Sequence, residues 1–402
     1  MTYMYLTNNK AAVINTTKRS QLAIFLAIIL FSLTTNAELK SIDDSELSEI
    51  TGQALISIDK NTYASAGNNI SYTRINLGLS IETQLAMDKL EVGTYARNDP
   101  NGITQDSDIL IEDLALGTIY DSEYFDDNPT IAIPLKADGS HYANGEVVPF
   151  KIDDPFIEFA IDDVTGQVVG ARIGLGKAEG HLSGIIKSLT GNLNVDILDT
   201  GDGLKAASSS GNLFDQVVIL LAPFLTSGEP LHSKAVLLDA NGDPDPIRAS
   251  MVGIPNGEEL VIEDVNLITR LALKVLSPVL TSNITWDGHD AHLEIQDCAV
   301  LGVNTCFDLK QFETLSIGKI TESNGKRYLN GPESGTFLSF QTQNLKWLTK
   351  TGTDTPAVED FINVTKGGFI NIPNGLTLNL KESLDGIPRA RTEYIDRGVG
   401  LF

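Results

Sequence analysis

Basic residues are scarce in this 402-residue chain, where 29 Lys and Arg face 53 Asp and Glu and the formal net charge is −24. Proteins that bind nucleic acids neutralise phosphates with clustered Lys and Arg. Proteins that dock on anionic lipid need a similar basic cluster. The composition therefore argues against both classes, and we predict no nucleic-acid partner.

Long apolar runs are missing after residue 33. The run from Leu22 to Leu33 follows Lys18 and Arg19 and precedes the small residues Thr35 and Ala37. This order is typical of a secretory signal peptide, and the run is shorter than the roughly 20 residues of a membrane-spanning helix. We predict a cleaved signal peptide over residues 1–37 and a mature chain that is not an integral membrane protein. An uncleaved membrane anchor is the alternative.

Cysteine is almost absent, since the chain has only Cys298 and Cys306. Zinc sites need more thiols, or a converging pair of histidines at set spacing. Two cysteines eight positions apart can instead close a short loop in an oxidising compartment. We predict a structural disulfide between them and a location in the periplasm or on the outer cell surface.

Apolar residues alternate with polar or small ones in four stretches, which run from 75 to 87, 171 to 175, 193 to 197 and 376 to 380. This period of two is typical of half-buried strands that have one apolar face and one wet face. A second signal is the sequence Ile-Pro-Asn-Gly, which occurs at 254–257 and again at 372–375. Because Pro and Gly suit tight turns, both copies predict antiparallel hairpins.

Two segments, 213–221 and 265–277, have helical apolar spacing that ends near a proline, and strands are the competing interpretation. We predict a mainly β fold of antiparallel sheets, sandwich-like or a curved open barrel, with one or two buried helices. A capping-box pattern predicts a short helical motif at 38–53, before a large β-rich domain at 54–402.

Three groups of ligand-type side chains invite a metal or catalytic interpretation. Asp290, His292 and Glu294 alternate along a predicted strand and could meet near one Zn²⁺ or Mn²⁺ ion. A solvated strand face with Leu293 and Ile295 beneath it is the favoured interpretation. Carboxylate pairs at 126–127, 153–154 and 162–163 recur without one standing out as a glycosidase dyad.

The third group consists of Asp239, Asn241 and Asp243, which alternate oxygen ligands as a calcium loop does. An EF-hand loop has Gly at its sixth position, whereas Gly242 here is the fourth residue and a proline follows at 244. A turn between strands is the better interpretation. We predict no catalytic residue, no cofactor and no metal.

The segment 39–53 carries an arrangement of polar and small residues at Asp43, Glu46, Leu47, Thr51, Gly52 and Gln53. It resembles a motif that follows the signal peptide in exported gammaproteobacterial proteins of Acinetobacter and Pseudomonas types. Some of these are named as components of a Fil-type pilus system. Residues 389–402 look similar to the ends of proteins in the same group. The resemblance implies an envelope-associated protein of a Gram-negative bacterium, with other envelope or pilus proteins as partners.

Together these patterns predict an exported, non-enzymatic structural or interaction protein of the cell envelope, in which edge strands engage partners. The alternative is a periplasmic carrier, which would hold a hydrophobic ligand in an apolar cavity on the order of several hundred Å³. A secreted hydrolase or metal enzyme is the third hypothesis, and it depends on the cluster around His292.

Overall fold

We describe the chain from a computed structural model. The described residues are 56–62, 69–97, 107–199, 231–262, 265, 267, 270–271, 274, 284–300, 303–349 and 356–392. All of them belong to one structural unit that runs from Ala54 to Phe402. The predicted signal peptide, the motif at 43–53, the predicted helix at 213–221 and most of the resembling C-terminal segment lie outside the described residues.

Strands dominate the described residues, as the alternation predicts. In chain order they are β1 Ile56–Thr62, β2 Ile70–Leu77, β3 Ser80–Thr83, β4 Leu85–Thr94, β5 Ser107–Leu116, β6 Thr118–Ile119, β7 Ile133–Pro134, β8 Val147–Val148, β9 Phe150–Asp153, β10 Phe156–Asp162, β11 Val168–Gly174, β12 Lys177–Leu189, β13 Gly191–Asp199, β14 Leu231–Leu238, β15 Met251–Gly253, β16 Glu259–Ile262, β17 Ile284–Asp287, β18 Asp290–Glu294, β19 Ala299–Val300, β20 Val303–Asn304, β21 Cys306–Asp308, β22 Thr314–Ile317, β23 Ile320–Ser323, β24 Lys326–Leu329, β25 Glu333–Ser334, β26 Phe337–Gln341, β27 Leu345–Leu348, β28 Phe361–Val364 and β29 Gly367–Leu378.

Two large sheets organise these strands. The first has ten strands in the order β1-β2-β10-β11-β26-β29-β13-β14-β15-β21. The second runs β3-β9-β12-β5-β4, and β22 and β25 also pair with the long strand β12. The described pairs are antiparallel except β13 with β29 and β24 with β7. The predicted mainly β, antiparallel fold is confirmed.

Short helices complete the fold. Helix α1 spans Ser122–Asp127 and α2 spans Leu380–Asp385. Helix α2 starts where the sequence pattern predicts the end of a strand, because Asn379 and Glu382 form a capping box there. In the predicted helix at 265–277, Leu267, Arg270, Leu271 and Lys274 are helical. Leu271 is 65% exposed, so it does not lie on a buried helix face.

Neither Ile-Pro-Asn-Gly sequence makes the predicted hairpin. The first turns between β15 and β16, but β15 pairs with β14 and β21 while β16 pairs with β18. The second lies inside β29, where the register against β13 shifts between Leu193 and Val195. The proline and glycine there make a bulge, because the flanking residues Ile372 and Leu376 pair with one parallel strand.

The larger hydrophobic core contains residues from both sheets, such as Ile109 and Phe150 of the second sheet and Leu378 of the first, none of which is exposed. A smaller core lies where the β27–β28 hairpin meets the ten-stranded sheet, and Tyr72, Trp347 and Phe369 belong to it. The Tyr72 hydroxyl donates to the carbonyl of Lys346 across this boundary. The hairpin therefore covers one face of strands that the larger core does not reach.

The fully buried carboxylate of Asp108 joins distant parts of the chain. Its oxygens accept hydrogen bonds from Arg97 at 2.9 Å, from Arg248 at 3.0 Å and from the backbone N–H of Gly368 at 2.8 Å. Arg248 also donates to the carbonyls of Gly93 and Tyr95. Because burying a carboxylate is costly unless it is paired and hydrogen-bonded, these donors compensate the burial of Asp108.

His181 on β12 is fully buried beside Phe125 of α1. Its Nε2 lies 2.9 Å from the carbonyl oxygen of Ala132, which can only accept, so Nε2 carries the proton. Its Nδ1 has no hydrogen-bond partner among the described residues. Burial consequently lowers the pKa of His181 from 6.5 to about 4.

This burial predicts a loss of stability at mildly acidic pH. Below pH 6.5 the unfolded chain protonates His181 while the folded chain does not, so the free energy of unfolding falls as pH decreases. From pH 7.5 to pH 5 we expect this residue to remove about 2 kcal/mol. Urea unfolding at both pH values measures the loss, and His181→Leu should reduce it by that amount. The exposed His141→Gln is the control, and an unchanged pH dependence in His181→Leu would contradict the assignment.

Candidate interaction surface

Five aliphatic residues form a row across five adjacent strands of the ten-stranded sheet. Ile58, Ile75, Ile157, Ile173 and Leu338 lie directly opposite one another on β1, β2, β10, β11 and β26. Ile58 is 68% exposed and Ile173 is 49% exposed, while the other three are half-buried. Opposed residues in adjacent strands share a face, so the row is one apolar band. It is exposed to solvent at Ile58 and Ile173, and its other end, Leu338, packs against the larger core.

The next row on the same face is also largely apolar. Phe159, Ala171 and Phe340 lie opposite one another two positions along from the first row, and Phe340 is 41% exposed. Beside Phe340 is a groove of about 330 Å³, lined mainly by glycine and apolar residues of β4, β11, β26 and β29. We call the five-residue row together with Phe159, Ala171 and Phe340 the open face. Contiguous exposed apolar surface of this kind marks interaction sites.

The opposite face of the same strands contains a buried ion triad. Arg74 of β2, Glu158 of β10 and Arg172 of β11 lie directly opposite one another. Arg74 Nε is 2.9 Å from Glu158 Oε1, and Arg172 Nε and Nη2 are each 2.5 Å from Oε2. Glu158 and Arg172 are each 1% exposed and Arg74 is 7% exposed. One carboxylate therefore binds two guanidinium groups inside the protein.

Aromatic rings enclose this triad. The Arg74 guanidinium lies 4.2 Å from the Phe156 ring centroid, and that of Arg172 lies 4.8 Å from the Trp347 ring. Arg172 also donates to the carbonyl of Leu348 in the covering hairpin. Gly174 permits the close approach of Phe156, because a Cβ there would lie 2.1 Å from its ring. Cation–π contacts and the hairpin carbonyl thus complete the environment of the charges.

The triad determines which side chains face solvent. A strand that slips by one residue moves every side chain to the other face. Such a slip in β2, β10 or β11 would move the arginine or glutamate of that strand to the solvent side. Its partners would then remain buried without an opposite charge. The pairing of Arg74, Glu158 and Arg172 therefore keeps the isoleucines opposite them on the solvent side.

Carboxylates border the open face at both ends of β10. Asp153 and Asp154 precede this strand, and Asp162 and Asp163 end it. Asp162 accepts from the N–H groups of Val164 and Thr165, which lowers its pKa. Two of the carboxylate pairs noted in the sequence thus flank the same apolar band.

Strand β1 forms one edge of the ten-stranded sheet. It pairs with β2 over all seven residues without a bulge, and no described strand pairs with its other side. It contains no proline, and its one basic residue is Lys60. Edge strands without bulges or prolines are templates for strand addition.

The ligand-type residues predicted from the sequence lie elsewhere. Asp290, His292 and Glu294 alternate on β18 with the fully buried Ala291 and Leu293, and they lie on its wetter face. His292 Nδ1 is 3.0 Å from Glu259 Oε2 of the neighbouring strand β16. In the part of the chain that the structure describes, no group of three or more His, Cys, Asp or Glu side chains could hold a metal ion.

The calcium-like segment is a turn closed by its own side chain. Asp239 accepts from the N–H groups of Asn241 and Asp243 and from the side-chain amide of Asn241. These contacts are those of an Asx turn, for which Asp is well suited. The carboxylate oxygens of Asp239 are thereby committed to the loop itself.

The predicted disulfide between Cys298 and Cys306 is confirmed. It packs on Gly242, where an added Cβ would lie 2.2 Å from Cys298 Sγ. Asn256 accepts from the N–H of Cys298 and donates to the carbonyl of Asn241. The side chain of Asn256 therefore links two of the turns that the sequence indicates, 239–243 and 254–257, and the disulfide packs against the first of them.

The sequence did not predict the buried residues beneath the open face, and it predicted the wrong buried side for the strands that carry them. Alternation of Ile75 with Leu77, and of Ala171 with Ile173, predicts that the apolar side is buried. Instead Arg74 and Arg172 are buried and Ile173 is exposed. A signal was present in Gly170-Ala-Arg-Ile-Gly174, because glycines at the alternate positions leave room for bulky neighbours on the side of the arginine.

Comparison with known proteins gives one partial match. The model of a family of unknown function, DUF6160, matches residues 15–123. This segment includes β1 and β2 of the open face. No curated protein and no solved structure matches the chain. Among the described residues, no helix is both long enough and apolar enough to cross a membrane.

The buried triad predicts a large effect from a small change. Glu158→Gln keeps the shape of the side chain but leaves two guanidinium groups without a countercharge. We expect the free energy of unfolding to fall by about 3 kcal/mol, measured by urea unfolding. The exposed Glu82→Gln on β3 is the control and should change it by less than about 0.5 kcal/mol. Equal stability of the two variants would show that the triad does not hold the sheet.

Proposed function

We propose that this chain is exported to the cell envelope, where it acts as a non-enzymatic structural or interaction protein of a pilus or other surface assembly. The observation that carries the proposal is the open face, an apolar band held toward solvent by the register of the strands beneath it. An enzyme needs a site that converges on a substrate, whereas this surface is flat, apolar and suited to contact with another chain.

Three features support export. The apolar run before residue 37 has the order of a secretory signal peptide. The disulfide between Cys298 and Cys306 is of the kind that persists in oxidising compartments. The resemblance of residues 39–53 to exported pilus-system proteins supports the same address and suggests partners within the envelope.

A carrier of a hydrophobic ligand has less support. The larger of the two cavities described, about 870 Å³, is a groove lined by charged side chains that include Lys310, Lys381, Asp127, Glu313 and Asp385. Sites for apolar ligands are lined mainly by hydrophobic and aromatic side chains. The apolar groove beside Phe340 has about 330 Å³ and belongs to the open face.

Cell fractionation tests the proposed location. We expect the native chain outside the cytoplasm, with an N-terminus near Glu38, and accessible to protease added to intact cells if it reaches the surface. Ala37→Tyr should block processing because the last position before cleavage requires a small residue. Asn36→Tyr, at the adjacent tolerant position, should be processed normally. A full-length chain confined to the cytoplasm would contradict the proposal.

A further inference from the structure

The aliphatic row stops at an edge that can be extended. Ile58, the most exposed residue of the row, lies on β1, and no described strand pairs with the far side of β1. A strand added beside β1 would place a side chain next to Ile58 and continue the row by one residue. Strand addition supplies backbone hydrogen bonds along the edge, and alternate side chains supply specificity.

The charges around the row determine which strand fits. The Asp pairs at 153–154 and 162–163 lie at the two ends of β10, and the whole chain carries a net charge of −24. A second copy would bring the same carboxylates and the same net charge to the interface. A strand from a basic partner would instead be attracted by the net negative charge of this chain, which favours encounter and specificity.

We propose that β1 and the adjoining open face bind an extended strand of a different protein, with apolar residues at alternate positions and Lys or Arg at its ends. This inference deepens the proposed function and rests on it, since it names the kind of partner that the interaction surface receives. The strand pairs with the side of β1 that no described strand occupies, its apolar side chains continue the row beyond Ile58, and its basic ends are attracted by the acidic chain.

A labelled peptide tests the proposal directly. The probe is an eleven-residue peptide that alternates Val or Ile with Thr and carries two Lys at each end. Its acidic counterpart has Glu in place of each Lys. Fluorescence anisotropy with the purified, disulfide-bonded chain should show that the basic peptide binds at least about tenfold more tightly. Its affinity should fall as salt is raised, because the attraction of the exposed charges is screened.

Variants and a modified peptide test the site and the mode of binding. Ile58→Lys should weaken binding of the basic peptide by at least about tenfold, because it places a cation in the apolar row and near the basic probe. Val358→Lys adds the same charge at a 63%-exposed valine just before β28, in the hairpin that covers the opposite face, and should change the affinity by less than about twofold. N-methylation of alternate peptide residues can fall on either of two sets, the odd or the even positions. One of the two methylated peptides should not bind, because methylation removes the edge hydrogen bonds and keeps the side chains.

Four results would overturn the proposal. They are equal binding of the basic and acidic peptides, absence of binding, equal effects of Ile58→Lys and Val358→Lys, and unchanged binding after N-methylation at either set of alternate residues. A dimer in sedimentation that Ile58→Lys dissociates would assign the surface to a second copy instead. Protection of the thiol of Ile58→Cys from maleimide in the isolated monomer would show that the chain covers its own edge. If the peptide experiments fail but the chain is exported, the proposed function still stands. If the chain is retained in the cytoplasm, that function is contradicted whatever the peptides do.

Discussion

The attraction of Glu158 for Arg74 and Arg172 fixes the register of the strands that carry the open face. Three adjacent strands each contribute one charge at the same level, and aromatic rings and a carbonyl complete their surroundings. Buried ion pairs contribute little net stability relative to apolar packing, but they strongly penalise alternatives that separate the charges. The triad thus acts mainly through specificity: it makes any other register of β2, β10 and β11 costly. The orientation of the isoleucines on the solvent side follows from that constraint.

A second carboxylate follows the same scheme at the junction of the two sheets. Asp108 accepts from two arginines and from the backbone of β29, just as Glu158 accepts from two arginines of neighbouring strands. A chain with a large excess of acidic residues places several of its arginines where they compensate buried carboxylates. Other acidic side chains serve turns, since Asp162 and Asp239 accept backbone hydrogen bonds there.

The sequence predicts the strands better than it predicts which of their faces is buried. Alternation at 193–197 and at 376–378 corresponds to buried apolar side chains, because these strands pass through the larger core. The same alternation at 75–77 and 171–173 has the opposite orientation, because a charged triad occupies the inner side. Periodicity indicates that the two faces of a strand differ but not which face meets the core. The pairing of three charges across three strands depends on the tertiary structure. The disulfide was predictable because only one pairing of two cysteines exists. The hairpins predicted at 254 and 372 were wrong, because a turn residue does not specify which strands pair on either side.

Several contacts join residues that are far apart in the sequence. The Asp108 carboxylate accepts from Gly368, 260 residues later, and Thr118 donates to the carbonyl of Arg391, 273 residues later. Strand β13 lies parallel to β29 although some 170 residues separate them. Contacts between such distant residues form slowly, because a long loop must close before they contribute. An N-terminal portion that emerges first from a translocation pore therefore lacks the strands that complete its sheets. Under the proposed export, the chain would reach its native topology only after nearly all of it had crossed, so translocation would precede folding.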